Sequence, residues 1–270
     1  MGDVNGDGYS DVVGGAFRYD RTQTNEGGTF LFLGSPSGLA STAGWMAYGG
    51  QPSAHFGHSV AGAGDVDADG YADVIVGAPL HDDGQVDEGR AVVYLGSLAG
   101  LASTAHWAVG ADQDGAQAGT AVASAGDVNG DGYSDVVVGA PLLDDGEIDE
   151  GRASVYLGSL EGLSYSAAWS AESDQAGAQL GAAVAGAGDV NGDGFSDVIL
   201  GAIKFDDPLV DEGRAMLYQG SATGLDTQPA WSVDGDLAGI SFGASVSTAG
   251  DVNGDGYSDV IVGASRYGAI

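Results

Sequence analysis

"DVDADGYADVIVGAP", residues 65–79, joins a carboxylate-rich loop to an uninterrupted apolar run. Nearly the same stretch returns along the chain: Asp3, Asp65, Asp127, Asp189 and Asp251 each open a copy, and consecutive copies start 62 residues apart. The tryptophans Trp45, Trp107, Trp169 and Trp231 keep the same step. So do Gly57, Gly119, Gly181 and Gly243, and the aromatic series Phe32, Tyr94, Tyr156 and Tyr218. A period held without one insertion marks a single supersecondary unit copied head to tail.

Each unit reads as four short strands. "FGHSVAGAG" (56–64) is the first, rich in small residues and leading into the acidic loop. "ADVIVGAP" (72–79) is the second, with the continuous apolar character of a strand buried on both faces. "GRAVVYLG" (89–96) is the third, and the fourth surrounds Trp107 in "AHWAVGA" (105–111). No segment has helical periodicity. The chain is therefore expected to be all-β, a β-propeller of four-stranded antiparallel blades with small first-strand residues lining the crowded axis. A parallel solenoid is the rival, but its rungs are shorter than this repeat. The expected division is a partial blade over 1–50, blades over 51–112, 113–174 and 175–236, and a partial blade over 237–270.

Composition agrees with short strands and tight turns. Gly accounts for 50 of 270 residues without a Gly-X-Y period, which excludes collagen, and 43% apolar residues suffice for a packed core. Against 7 Lys and Arg stand 39 Asp and Glu, a formal charge of −32. Such a field repels nucleic acid and anionic membranes, so neither is an expected partner. Without cysteine there is neither a disulfide framework nor a cysteine-based zinc site. No apolar run approaches the length of a membrane span, and "MGDVNGDG" is not a signal peptide, so any export signal is expected outside this stretch.

The acidic loop carries the chemistry. Oxygen-bearing side chains stand at loop positions one, three, five and nine. These are Asp3, Asn5, Asp7 and Asp11, then Asp65, Asp67, Asp69 and Asp73, then Asp127, Asn129, Asp131 and Asp135. The last two copies bring Asp189, Asn191, Asp193 and Asp197, and Asp251, Asn253, Asp255 and Asp259. Position six is always Gly, allowing a sharp turn about a central point. At position seven, Tyr9, Tyr71, Tyr133, Phe195 or Tyr257 is expected to turn its backbone carbonyl inward and its ring outward.

Hard oxygen donors in this number suit Ca²⁺, up to five ions with one per loop. Mg²⁺ prefers fewer protein ligands, and transition metals prefer His or Cys. An EF-hand would place a Glu at position twelve, where Val76 stands inside a strand. The competing reading is a set of Asn-Gly and Asp-Gly turns, yet a turn does not need four ligands at fixed offsets. Two carboxylates ~4 Å apart repel by about 4 kcal/mol at an effective dielectric near 20, so a cation is expected to be part of folding. Five Ca²⁺ would still leave a net charge near −22.

With these residues in view, the chain resembles the FG-GAP repeats of integrin α-subunit propellers. "FG" stands at Phe56-Gly57 and Phe242-Gly243, and "GAP" at Gly77-Ala78-Pro79 and Gly139-Ala140-Pro141. Elsewhere the pattern loosens to Ala118-Gly119, Leu180-Gly181, Gly15-Ala16-Phe17, Gly201-Ala202-Ile203 and Gly263-Ala264-Ser265. The resemblance implies Ca²⁺ in the loops between first and second strands, on the face away from the ligand. It also implies a non-catalytic role in recognition or adhesion, outside the cell or at its surface. A protein ligand is expected, with a glycan as the alternative because some relatives are lectins; a purely structural module is the third reading. Every loop here is intact, whereas integrin propellers usually fill only some blades, and the blade count falls short of seven. The partial blades at the two ends are complementary: one chain could close as a four- or five-bladed ring or stay open, or two chains could pair their ends, and pairing between chains is the expectation.

A second acidic loop recurs between strands two and three: "HDDGQVDEGR" (81–90), "LDDGEIDEGR" (143–152) and "FDDPLVDEGR" (205–214). It is expected on the face opposite the first loop, either as an acidic rim for a basic protein or as a solvated hairpin. In the hairpin reading Glu88, Glu150 and Glu212 order the turn and Arg90, Arg152 and Arg214 pair locally. Glu26 persists where Arg gives way to Gly28, so the Glu is expected to bond backbone. His55, His58, His81 and His106 occupy no equivalent positions, no nucleophile elbow is present, and no enzyme is expected.

Overall fold

The computed structural model describes residues 2–268, and their ordered elements are all strands and turns. Strands β1 (Val12–Ala16), β2 (Gly28–Phe32) and β3 (Trp45–Tyr48) form a first, three-stranded sheet. Three four-stranded sheets follow. They comprise β4 (Val60–Gly64) to β7 (Trp107–Gly110) through β5 (Asp73–Ala78) and β6 (Arg90–Tyr94), then β8 (Ala121–Gly126), β9 (Asp135–Ala140), β10 (Arg152–Tyr156) and β11 (Trp169–Glu172), then β12 (Leu180–Gly188), β13 (Asp197–Ala202), β14 (Arg214–Tyr218) and β15 (Trp231–Asp234). Strands β16 (Phe242–Gly250) and β17 (Asp259–Ala264) pair as the last sheet. Every sheet is an antiparallel meander with strands in chain order, the expected blade of a β-propeller.

Burial explains the strand sequences. β5, β9 and β13 are buried along their whole length, as their continuous apolar runs require. Their alternate residues serve different neighbours. Val74 and Val76 pack with Leu31 and Ala47 of the preceding sheet, while Ile75 packs with Val122, Val136 and Val138 of the next. The cores thus lie between blades.

The "FG" and "GAP" glycines have one shared cause. A Cβ on Gly77 would run into the carbonyl oxygen of Gly119 in the following blade, and Gly139 meets Gly181 in the same way. Backbone approaches backbone there, leaving no room for a side chain.

The tryptophans also act between blades. The indole N–H of Trp45 donates to Ala102 O at 2.9 Å, that of Trp107 to Ser164 O at 2.8 Å, and that of Trp169 to Asp226 O at 2.9 Å. Each ring meets the next blade's tyrosine edge-on, Trp45–Tyr94 at 4.8 Å, Trp107–Tyr156 at 5.0 Å and Trp169–Tyr218 at 4.8 Å. These contacts spend both the apolar ring and its polar handle on blade stacking.

Candidate metal centre

The first acidic loop leads into β1, and each of the other four hangs between the first and second strands of a blade. A register shift closes the first strand just before it, between Gly62 and Gly64, Ser124 and Gly126, Gly186 and Gly188, and Thr248 and Gly250. The extra residue bends the strand and aims the chain into the turn. Gly70 then holds φ +94°, and Gly8, Gly132, Gly194 and Gly256 hold similar values.

Position one folds the loop over itself. In the first copy, Asp3 Oδ1 accepts from Gly6 N at 2.7 Å and Oδ2 from Gly8 N at 2.6 Å. Asp127, Asp189 and Asp251 accept from the equivalent amides at 2.6–2.9 Å, and Asp65 from Asp69 and Gly70 at 3.0 and 2.9 Å. What burial there is works to raise the Asp3 carboxyl pKa, but four backbone amides overcome it, and the net shift is downward. Position five accepts from the position-seven amide, as in Asp69 Oδ1 with Tyr71 N at 3.0 Å.

Position nine is different. Asp11, Asp73, Asp135 and Asp197 are fully buried at the base of the loop. Asp73 Oδ2 accepts from Val66 N at 2.8 Å and Oδ1 from Gly96 N at 2.8 Å, which ties the loop to the end of the third strand. Desolvation pushes the Asp73 carboxyl up to about 7 despite those two bonds, and the charges of Asp67 and Asp65 add to it. Asp135 is pushed up to about 6 by the same causes, and Asp197 also rises. The polypeptide does not supply enough positive potential to keep Asp73, Asp135 and Asp197 in the ordinary carboxylate range.

Position three separates the second loop from the rest. Asn5, Asn129, Asn191 and Asn253 donate Nδ2–H to the position-five carboxylate at 3.2, 2.8, 2.8 and 3.0 Å. Asp67 has no such proton to give. Burial first, then the charges of Asp69 and Asp65, raise its pKa. Oxygens of Asp65, Asp67 and Asp73 converge within 4.8 Å of one another. Ala68 occupies position four with φ +55°, a conformation costing about 1 kcal/mol for a residue with a side chain.

Sequence reasoning placed these residues on one loop but did not anticipate what the position-seven ring does. The ring of Tyr71 lies where a Cβ on Gly6 would stand, at 2.7 Å, and Phe195 and Tyr257 cover Gly130 and Gly192 at 2.6 Å. The position-eight amide also reaches back one blade: Ser134 N donates to Asp65 O, Ser196 N to Asp127 O and Ser258 N to Asp189 O, each at 2.9 Å. Neighbouring loops therefore touch. The only sequence signal was the aromatic at position seven paired with Gly at position four in the preceding copy.

The donor set fits a hard divalent cation: anionic or amide oxygens on one short loop, with no nitrogen or sulfur ligand among them. The histidines stand apart from it. His55 and His58 pack edge-on against Phe17 at 5.3 and 5.4 Å, and His81 faces Arg90.

The other acidic loop closes on its own amides. Glu26, Glu88, Glu150 and Glu212 are almost fully buried. Glu150 Oε1 accepts from Asp145 N at 2.8 Å and Glu147 N at 3.1 Å, and Glu212 Oε1 from Asp207 N at 2.6 Å and Leu209 N at 3.1 Å. Glu26 does the same although Gly28 stands where the later copies have Arg, taking the amides of Arg21, Thr22 and Gln23. Burial works to raise its pKa, but these amides win and lower it. Arg152 pairs with Asp145, and Arg214 with Asp207 and Asp234.

Comparison with known proteins agrees with the repeat. The FG-GAP repeat family matches residues 56–94, 118–156 and 242–269. The chain carries FG-GAP repeats. It is 35% identical to integrin alpha-4 of Xenopus laevis over 78% of this chain and 20% of that protein. Integrin alpha-V of Gallus gallus is 34% identical, again over 78% of this chain and 20% of its own length. The chain thus spans about a fifth of these relatives. A rhamnogalacturonan lyase structure aligns with 90% of this chain and 49% of its own, at 13% identity and TM-score 0.46.

Proposed function

We propose that this FG-GAP chain is a calcium-stabilised, non-catalytic recognition module of the adhesion type, acting outside the cell or at its surface on a protein ligand. The observation that carries the calcium reading is Asp73: a fully buried carboxylate raised to about 7, with Asp65 and Asp67 oxygens converging beside it. A divalent cation is the compensation that the polypeptide lacks. Asp65, Asp67, Asp69 and Asp73, with the backbone carbonyl of Tyr71, would hold it in the second loop. The equivalent residues would do so in the other four, as set out above. Bound there, the ion would supply positive charge and cross-link the loop; the protein's own part is to bring oxygens of Asp65, Asp67 and Asp73 together.

Similarity to integrin α subunits supports the adhesion reading and the extracellular setting. Among the described residues no helix is long and apolar enough to cross a membrane. The face for a protein ligand would be the one opposite the calcium loops, where Asp82, Asp83 and Asp87 and their counterparts offer an acidic rim to a basic partner. A glycan ligand gains little from the geometry, since three of the four tryptophans are engaged between blades. Pairing of the partial blades between chains gains no support from it either.

The test is calcium counting with calorimetry. Equilibrium dialysis should find up to five ions per chain. At a hundredfold excess over its dissociation constant each site contributes about 2.7 kcal/mol, so stripping the metal should lower Tm by more than about 10 °C. An unchanged melt and no bound calcium would reduce the loops to turns.

A further inference from the structure

The five loops are written in one pattern, yet one of them lacks a side-chain hydrogen bond that the other four make. We propose that the second loop, Asp65 to Asp73, is the tightest cation site of the chain, first to fill and last to empty, and that Asp67 makes it so. This rests on the calcium reading above and goes beyond it by ranking the sites.

In four loops the position-three side chain is an amide that donates to the position-five carboxylate: Asn5 to Asp7, Asn129 to Asp131, Asn191 to Asp193 and Asn253 to Asp255. That bond gives each loop a partly self-satisfied form without an ion. It also turns one oxygen of the position-five carboxylate toward a donor that a cation must compete with or displace. In the second loop Asp67 is an acceptor only. Its Oδ1 takes the Asp69 amide at 3.3 Å, and nothing on its side chain can neutralise the Asp69 carboxylate. The consequence is geometric as well as electrostatic. Among the described residues, the second loop alone brings three carboxylate oxygens together, those of Asp65, Asp67 and Asp73, within 4.8 Å.

Both halves of the binding equilibrium then favour this loop. The ion-free form lacks the internal amide bond and carries one more negative charge. The ion-bound form gains one more anionic oxygen. Cation affinity in oxygen cages rises with the number of charged ligands. Like each later loop, this one is tied to the loop before it: Ala72 N donates to Asp3 O at 2.9 Å, and the Tyr71 ring lies against Gly6. A cation in the second loop therefore also braces the first.

Calcium titration by calorimetry on the full chain, metal-stripped beforehand, separates the outcomes. The expected result is one site at least about tenfold tighter than the remainder. Asp67→Asn should merge that site with the others while leaving the number of ions unchanged. Asn129→Asp should create a second tight site. Because Asp67→Asn removes a charge from a repelling cluster, its melting temperature without metal should match or exceed that of the parent, which shows that the variant folds. Sites of equal affinity in the parent, or a tight site that survives Asp67→Asn, would overturn the ranking and leave the calcium reading standing. Absence of any calcium binding would remove both.

Discussion

Each full blade carries two acidic loops of similar composition on opposite ends of its sheet, and they solve the same electrostatic problem in different ways. In the hairpin loop, the carboxylate of Glu150 is buried and answered by the amides of Asp145 and Glu147. In the other loop, the carboxylate of Asp135 is equally buried and accepts Gly158 N and Val128 N, yet desolvation still raises it to about 6. The surroundings of the two carboxylates differ as well. Asp127 and Asp131 add negative potential to Asp135, whereas Glu150 closes a turn whose exposed aspartates point to solvent and to Arg152. Counting acidic residues does not tell the two loops apart; asking which buried carboxylates the fold raises does.

The comparison predicts that the hairpin glutamates are structural and indifferent to calcium. Glu150→Ala strands two amides in a nearly buried turn and should cost about 1–3 kcal/mol. Urea unfolding should give the same loss in calcium and in metal-stripped protein, with the number of bound ions unchanged. A loss that appears in only one of those conditions would erase the distinction between the loops.

Acidity offers a second way to break it, through the sign of the effect. In metal-stripped protein Asp73 and Asp135 have folded pKa values of about 7 and about 6, against 3.8 for a free aspartate. Between roughly pH 4 and 7 the folded state then binds protons that the unfolded chain has released, so stability falls as pH rises through that window. With calcium present the ligands must be deprotonated, and stability falls instead as the pH is lowered. Melts at pH 5 and pH 7.5 should therefore rank oppositely, by several degrees, with and without metal. The same ranking in both conditions would show that the loop carboxylates are not where the ion acts.

Much of this architecture is legible in the sequence because the repeat supplies the evidence several times over. The buried second strands follow from runs such as Val74-Ile75-Val76, and the loop donors follow from their fixed offsets. What the sequence conceals is every relation that crosses from one blade to the next. Gly77 is needed because of Gly119, and Trp107 because of Ser164, partners 42 and 57 residues away, and spacing alone does not pair them. Nor do the letters separate the aspartates. Asp3 and Asp73 look interchangeable in the pattern, but one is lowered by four amides and the other raised by burial. Depth in the fold, which sets the desolvation cost, is a property of the stacked sheets rather than of the loop.

The gentlest test is a matched pair of charge removals that keep side-chain shape. Asp144 lies in the exposed part of the hairpin, where its Oδ1 accepts Asp149 N at 2.7 Å. An asparagine can make that bond with its carbonyl oxygen, so Asp144→Asn should change stability by no more than about 0.5 kcal/mol and leave calcium binding unaltered. Asp131 bonds Tyr133 N through Oδ1 at 3.1 Å in the same way, but its second oxygen faces Asn129 Nδ2 at 2.8 Å. Asp131→Asn sets one amide against another and removes a charged donor, so it should weaken one calcium site about tenfold or more while the hairpin variant weakens none. Calorimetric titration of the two variants side by side reads the comparison directly. Equal responses would mean that the chain's negative field as a whole, rather than the placement of its carboxylates, governs how the protein meets a cation.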